Sequence, residues 1–296
     1  IDVPAGDTRA LQAAFDAAAP GDEIVLPDRA VFSGNFTLPV RKAGSGRVIV
    51  RSATIPADSS RRVTPAVAAT FAKILTPNDI AVLRTAHGAG GWHFVGVEFG
   101  MGPTSQETFG IVLIGTTFEK TLAEMPDDVV FDRVYVHGTP TASTRRCIAL
   151  NGRAAAVVHS WLAECHHTGF DAQAIVSWAG QGPFLIEDNY LEGSGQDIHF
   201  GGGDVSVPGV IPSDITIRRN HLHKPLTWGR KWLVKNSFEM KSAQRVLFEQ
   251  NFVENSWFHG QAGFAIVSSP APDSPQAIVQ DVTVRDNIFR RTAGGV

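Results

Sequence analysis

Between Phe184 and Asn287 apolar and polar positions alternate in a phrase that returns four times. It reads Phe184-Leu-Ile-Glu-Asp-Asn189-Tyr, Ile215-Thr-Ile-Arg-Arg-Asn220-His, Val246-Leu-Phe-Glu-Gln-Asn251-Phe and Val282-Thr-Val-Arg-Asp-Asn287-Ile. Each copy predicts a strand with one buried face, a polar turn and an Asn, and the Asn positions lie 31, 31 and 36 residues apart. A period of this size marks stacked units that bury apolar faces only against their neighbours. With Val or Trp in place of Asn the phrase continues upstream through His93-Phe-Val-Gly-Val97, Val129-Val-Phe-Asp-Arg-Val134 and Val157-Val-His-Ser-Trp161. The chain therefore reads as one solenoid domain over 1–296, with a cap and first strand in 1–27 and coils with loop insertions in 28–296.

A second strand precedes each phrase: Gly110–Gly115, Cys147–Asn151, Gln173–Ser177, Asp197–Gly201, Ser237–Lys241 and Gly263–Val267. Alternation points Ile198, Phe200, Phe238 and Met240 inward and Asp197, His199, Ser237, Glu239 and Lys241 outward. Equivalent positions on successive coils lie roughly 4.8 Å apart, which sets His199 beside Glu239 and Gly201 beside Lys241. The repeated Asn189, Asn220, Asn251 and Asn287 read as an internal turn ladder. Loops rich in Pro, Gly, Ser and Thr interrupt the coils at Ala53–Pro65, Met101–Thr108, Phe118–Asp128, Gly203–Pro212 and Pro270–Pro275.

Ahead of the coils, Leu11, Ala14, Phe15 and Ala18 share one helical face behind a cap at Asp7 or Thr8, and Pro20-Gly-Asp stops the helix. A lone amphipathic helix before a strand array serves as a lid over the first coil. Glu23–Leu26 and Val31–Leu38 follow as strands. At the other end the chain stops just after a strand phrase. That predicts either further chain or another molecule over the last coil.

Composition fits this picture: Gly 29 and Pro 17 suit many short strands joined by turns. No apolar run is long enough for a transmembrane helix. Ile1 as first residue suits a processed chain, and a removed secretion signal gives an extracellular or periplasmic location. Cys147 and Cys165 read first as two buried thiols, with a disulfide across neighbouring coils as the alternative.

The segment Leu11-Gln-Ala-Ala-Phe-Asp-Ala-Ala-Ala-Pro-Gly-Asp-Glu-Ile-Val-Leu-Pro27, followed by Phe32-Ser-Gly-Asn-Phe36, resembles the start of pectate-lyase-like right-handed parallel β-helix proteins. The resemblance implies an all-β solenoid with an N-terminal helical cap. It leaves function open, because lyases, hydrolases, epimerases and phage tail proteins share this fold.

Residues 215–238 hold Arg218, Arg219, Lys224, Arg230, Lys231, Lys235, His221 and His223 with no Asp or Glu before Glu239, in a chain of net charge -3. Such a strip suits an acidic polysaccharide, with Trp228 and Trp232 stacking on sugar rings and the cations and Asn236 holding carboxylates. Equally, it is a solvated loop whose Trp residues pack inward. The absence of a recognised module argues against nucleic acid.

Lys241, outward at a strand end beside this strip, is the candidate base for removing a proton α to a carboxylate, with Glu239 opposing by favouring the ammonium. Asp197-Ile-His199 is a second constellation, in which His199 serves as acid or base oriented by Asp197 or Glu239. The ordinary readings are a surface lysine and a structural Asp-x-His. Adjacent His166 and His167 face opposite ways and make a poor metal site.

Asn236-Ser-Phe-Glu-Met-Lys241-Ser242 is similar to the Glu-x-x-x-x-Lys-Ser element of the chondroitinase B and alginate lyase family, whose Lys is the base and whose acidic residues hold calcium. Here Asn236 and Val234 replace acidic ligands, so no cofactor is expected and calcium is not supported. The expected function is a secreted polysaccharide lyase acting on a uronate polymer by β-elimination. The alternatives are a non-catalytic binding or adhesion solenoid and a glycoside hydrolase.

Overall fold

The computed structural model describes residues 1–41, 45–270 and 277–295, over which the chain winds as a right-handed parallel β-helix. Three parallel sheets run its length. Among the described residues the first has nine strands, from Glu23–Leu26 to Val279–Arg285; the second has nine, from Val31–Ser33 to Ile288–Thr292; the third has eight, from Phe36–Leu38 to Ile266–Ser268. One coil takes a strand from each sheet in that order.

The turn from first to second sheet explains the repeated phrase. At six successive corners one residue adopts positive φ: Arg133 (52°), His159 (53°), Asp188 (51°), Arg219 (56°), Gln250 (55°) and Asp286 (57°). In the last four of these the next position holds the Asn. Asn220 Nδ2 donates to Ile186 O at 2.8 Å and to Asn251 Oδ1 at 3.0 Å, while Asn220 Oδ1 accepts from the backbone N–H of Asn189 at 2.9 Å. Asn189, Asn220 and Asn251 are all buried, so each amide satisfies backbone groups that the sharp corner would otherwise leave unpaired.

One coil further back Ser160, not Trp161, holds this position: its N–H donates to Asn189 Oδ1 at 2.9 Å and its Oγ accepts from Val134 N–H at 3.0 Å. Trp161 lies one residue on, paired with Tyr190 and stacked on it at 3.8 Å. The one-residue error arises because Ser occupies the Asn slot, and Ser carries no signal in an apolar pattern.

Inward residues of all three sheets merge in one core, with Trp92, Phe94, Phe99, Phe131, Phe184, Phe200, Phe238 and Phe248 all buried. The predicted cap forms as a helix over Thr8–Ala17, with the Asp7 carboxylate accepting from Ala10 N–H at 2.9 Å. Phe15 closes the first coil through edge contacts with Phe36 (6.0 Å) and Trp92 (5.8 Å).

Cys147 and Cys165 are joined in a disulfide between neighbouring coils, with Cα atoms 5.7 Å apart. This corrects the expectation of two thiols: stacking brings together residues 18 apart in sequence at the corner between second and third sheets. The Ala53–Pro65 loop runs over the first-to-second corner, where Arg62 donates to Asp188 Oδ1 at 2.9 Å, and ends in a short helix, Pro65–Ala68. Of the loop expected at Pro270–Pro275, only Pro270 falls within the described residues.

Candidate active site on the third sheet

The register expected from the sequence is present. Ile198 pairs with Phe238, His199 with Glu239 and Phe200 with Met240, and the four apolar side chains are buried in the core. His199 and Glu239 face away from the core yet are covered, at 4% and 1% exposure. Lys241 is the open member, its side chain 34% exposed and its Nζ 3.9 Å from Glu239 Oε1. Gly201 and Gly202, at φ 81° and 79°, are what let this end close up. A Cβ on Gly201 would sit 2.3 Å from Ser242 N, and one on Gly202 would sit 2.7 Å from Lys241 Cδ.

An amide relay orders the buried pair. Glu239 accepts from Gln196 Nε2 at 2.7 Å, from Asn236 Nδ2 at 3.3 Å and from Ser269 Oγ at 2.9 Å. With its nitrogen drawn to the carboxylate, Gln196 offers its oxygen to Gln173 Nε2 at 2.8 Å, and the same Gln173 nitrogen stands 3.5 Å from His199 Nδ1. A donor facing Nδ1 places the imidazole proton on Nε2. Nε2 is buried and has no hydrogen-bond partner among the described residues. Burial holds His199 down at about 4 against the opposing pull of Glu239 and Asp171, so it is neutral at physiological pH. Glu239 is held below the usual carboxylate range: burial pushes it up, but His199 and its hydrogen bonds outweigh that.

Asp197 is not part of this cluster. It is fully buried at the corner between second and third sheets, accepting from Gly193 N–H at 2.9 Å and lying 3.4 Å from the equally buried Lys224 Nζ. Burial raises the Asp197 carboxyl and lowers the Lys224 ammonium, with their mutual attraction opposing both. This is a sealed structural pair.

The basic strip, continuous in sequence, is scattered in space because the chain travels around the coil. Arg218 and Arg219 sit at the first-to-second corner and both pair with Glu187. His221 and His223 lie on the second sheet, His221 against Glu254 at 3.3 Å and His223 against the Tyr190 hydroxyl at 2.6 Å. Trp228 and Trp232 are 3% and 4% exposed and pack on His166, with Trp232 stacked at 3.7 Å, so neither offers a face to a sugar. Arg230 and Lys231 are exposed, and Lys231 Nζ reaches Pro140 O at 2.7 Å. Only Lys235, paired with Asp171, and Asn236 border the third-sheet cluster.

A cleft of ≈ 400 Å³ on the third-sheet side of the molecule is lined by Phe109, Leu113, Phe118, Asn151, Trp178 and Gly203, among others. Phe109 and Phe118 are 46% and 69% exposed. Gly203 ties the cleft to the His199–Lys241 end, since it follows Gly202 directly and lies against Trp178. Sequence reasoning missed Phe109 and Trp178, which flank aligned strands by one residue, and missed Gln173 and Gln196. A column of polar residues at the strand starts, Arg146, Gln173, Gln196 and Asn236, was the available signal.

The described residues around Glu239 do not offer calcium a set of free oxygens. The oxygens of Glu239 are taken by Gln196, Asn236, Ser269 and Lys241, and Asn236 turns a donor nitrogen toward them, whereas calcium requires six or more oxygens.

No protein-family model matches the chain, and no curated protein does. Among solved structures it is similar to an alginate lyase from Paenibacillus sp. str. FPU-7, with a TM-score of 0.55, 15% identity and coverage of 97% of this chain and 94% of that one. It is also similar to the PL6 family alginate lyase AlyGC, at TM-score 0.52 and 14% identity, covering 99% of this chain but 38% of that longer one. A third match is ORF18 of Geobacillus virus E2, at TM-score 0.50, 9% identity and coverage of 90% and 52%. At such identities the likeness shows the fold.

Proposed function

We propose that the protein is a secreted polysaccharide lyase that cleaves a uronate-containing polymer by β-elimination at the His199–Glu239–Lys241 cluster. The observation that carries this reading is the meeting of one accessible amine and one neutral imidazole N–H on the sheet face that also bears an aromatic cleft. Fold likeness to two alginate lyases supports the substrate class, and the Cys147–Cys165 disulfide supports an oxidising compartment.

In the elimination Lys241, as free amine, removes the proton α to the uronate carboxylate. The C–H pair forms the double bond, the C–O bond to the next sugar breaks, and the new ammonium returns its proton to the departing oxygen. Glu239, whose Oε1 lies 3.9 Å from Lys241 Nζ, holds the amine at the end of the reacting row. His199, too weakly basic to carry a full proton, donates an Nε2–H hydrogen bond to charge building on the carboxylate. This replaces the acid role expected from its sequence context.

Incubation with alginate, pectate and chondroitin, followed by ultraviolet absorbance of the unsaturated uronate, tests the reading. One of the three should yield product, and Lys241→Ala should lower its rate by orders of magnitude. A polymer retained in pull-down without product from any of them favours a non-catalytic binding or adhesion solenoid, a second reading that the aromatic cleft alone would satisfy. A glycoside hydrolase has less support, because Asp197, the carboxylate closest in sequence to His199, is sealed against Lys224 and cannot pair with Glu239 across a substrate.

A further inference from the structure

Two adjacent cations stand next to the aromatic cleft. Arg146 is 5% exposed and Arg145 is half-buried, and among the described residues neither forms an ion pair. The nearby Asp171 carboxylate is engaged by Lys235. Arg146 Nη1 donates to the backbone carbonyls of Arg145 and Asp171, both at 2.8 Å, and the Nε atoms of both arginines are buried without a partner among the described residues. Their guanidinium groups are packed among rings instead. Arg146 lies 5.1 Å from Phe109 and 5.0 Å from Trp178, and Arg145 lies 5.1 Å from Phe109 and 4.4 Å from Phe170.

Burial and the charge of Arg145 bring Arg146 down to about 9 against the opposing pull of Asp171. Two like charges in a place of low dielectric, with unused donors, are unfavourable in the empty protein, and an anion from outside relieves them. Guanidinium forks match planar carboxylates in a bidentate manner, and the exposed face of Phe109 with Trp178 suits the apolar face of a sugar ring. Arg146 pairs with Gln173, and Gln173 with Gln196 on the coil that carries His199, so the arginines stand two coil steps, roughly 10 Å, along the axis from His199 and three, roughly 14 Å, from the coil of Glu239 and Lys241.

We infer that Arg145 and Arg146 with Phe109 and Trp178 form a uronate-binding subsite, which receives the carboxylate of a sugar unit removed from the one that reacts. The subsite rests on the uronate reading above, but its binding is measurable apart from cleavage.

The test uses the full chain carrying Lys241→Ala, so that no turnover intervenes, with three probes: an alginate oligosaccharide, the same oligosaccharide with its carboxyls reduced to alcohols, and dextran sulfate. Isothermal calorimetry should show Arg145→Ala and Arg146→Met each weakening the alginate oligosaccharide at least about tenfold, with the reduced probe weak throughout. Melting of Arg146→Met should be unchanged or higher, because an unpaired buried charge is gone. Should Arg146→Met not fold, Arg145→Ala and Trp178→Ala carry the same expectation. Unchanged affinity in the folded variants, equal binding of the reduced probe, or preference for dextran sulfate overturns the subsite. Product formation by the wild-type chain judges the lyase reading separately: cleavage with an Arg145→Ala KM equal to wild type sinks the subsite alone, and tight arginine-dependent binding without cleavage sinks the lyase alone.

Discussion

Two rows of side chains run along this solenoid, both made by stacking, and they differ in what they leave unfinished. The Asn row at the first-to-second corner repeats one residue from coil to coil, and the donors and acceptors of each amide are filled by the coils on either side. The third-sheet row changes along the axis, through Arg146, Gln173, Gln196 and Asn236 beside His199 and Glu239, and leaves Arg146 Nε, Gln173 Oε1 and His199 Nε2 without partners among the described residues. Repetition with full satisfaction is how the fold holds itself together. Variation with buried, unanswered polar atoms is how a face is prepared for a ligand.

Substitutions should divide along the same line. The largest effect is expected at the open end of the irregular row: Lys241→Ala should lower turnover by about 10²- to 10⁴-fold while leaving the denaturation midpoint nearly unchanged, and a large loss of stability instead would place Lys241 among the structural residues. Next comes Lys224→Met, which strands the buried Asp197 carboxylate and should cost about 3–5 kcal/mol in denaturant unfolding. Adding Asp197→Leu to it should recover much of that. Asn220→Ala breaks four ladder bonds, and chemical denaturation should register a loss of about 3 kcal/mol. Turnover of the folded fraction should hold, and a drop in kcat there would erase the distinction between the rows.

The smallest effect is a pH dependence. His199 is held down at about 4, whereas an unfolded imidazole titrates near ~6.5. Between those values the unfolded chain takes a proton that the folded one refuses. The stability is therefore fully present above about pH 6.5 and is lost as the pH falls toward 4. Glu239, also lowered, adds a loss of the same sign further down. The melting temperature of His199→Gln should fall less over this range than that of the wild type, and superimposable curves would mean that His199 is not buried neutral.

Much of this was legible in the chain because stacking copies its pattern into the sequence. The Asn phrase, the helical cap behind Asp7 and the pairing of His199 with Glu239 all follow from periodicity, since a strand's parity fixes its faces and the repeat fixes its neighbours. Periodicity does not say what covers an outward residue. Asp197 and His199 share parity, yet one is sealed by Lys224 and the other keeps its Nε2 beside Gly202 with no partner among the described residues.

By itself the sequence determined the winding, the inward and outward faces and the coil-to-coil register, because each depends on spacing along one chain. Tertiary structure alone decided that the basic strip is dispersed around three sheets, that Cys147 meets Cys165, and that Phe109, Trp178, Arg145 and Arg146 gather at one cleft. The reason is geometric. Corners and loops turn neighbours in sequence onto different sides of the solenoid and bring residues from separate coils within contact, and no residue's spacing records the angle of its own corner.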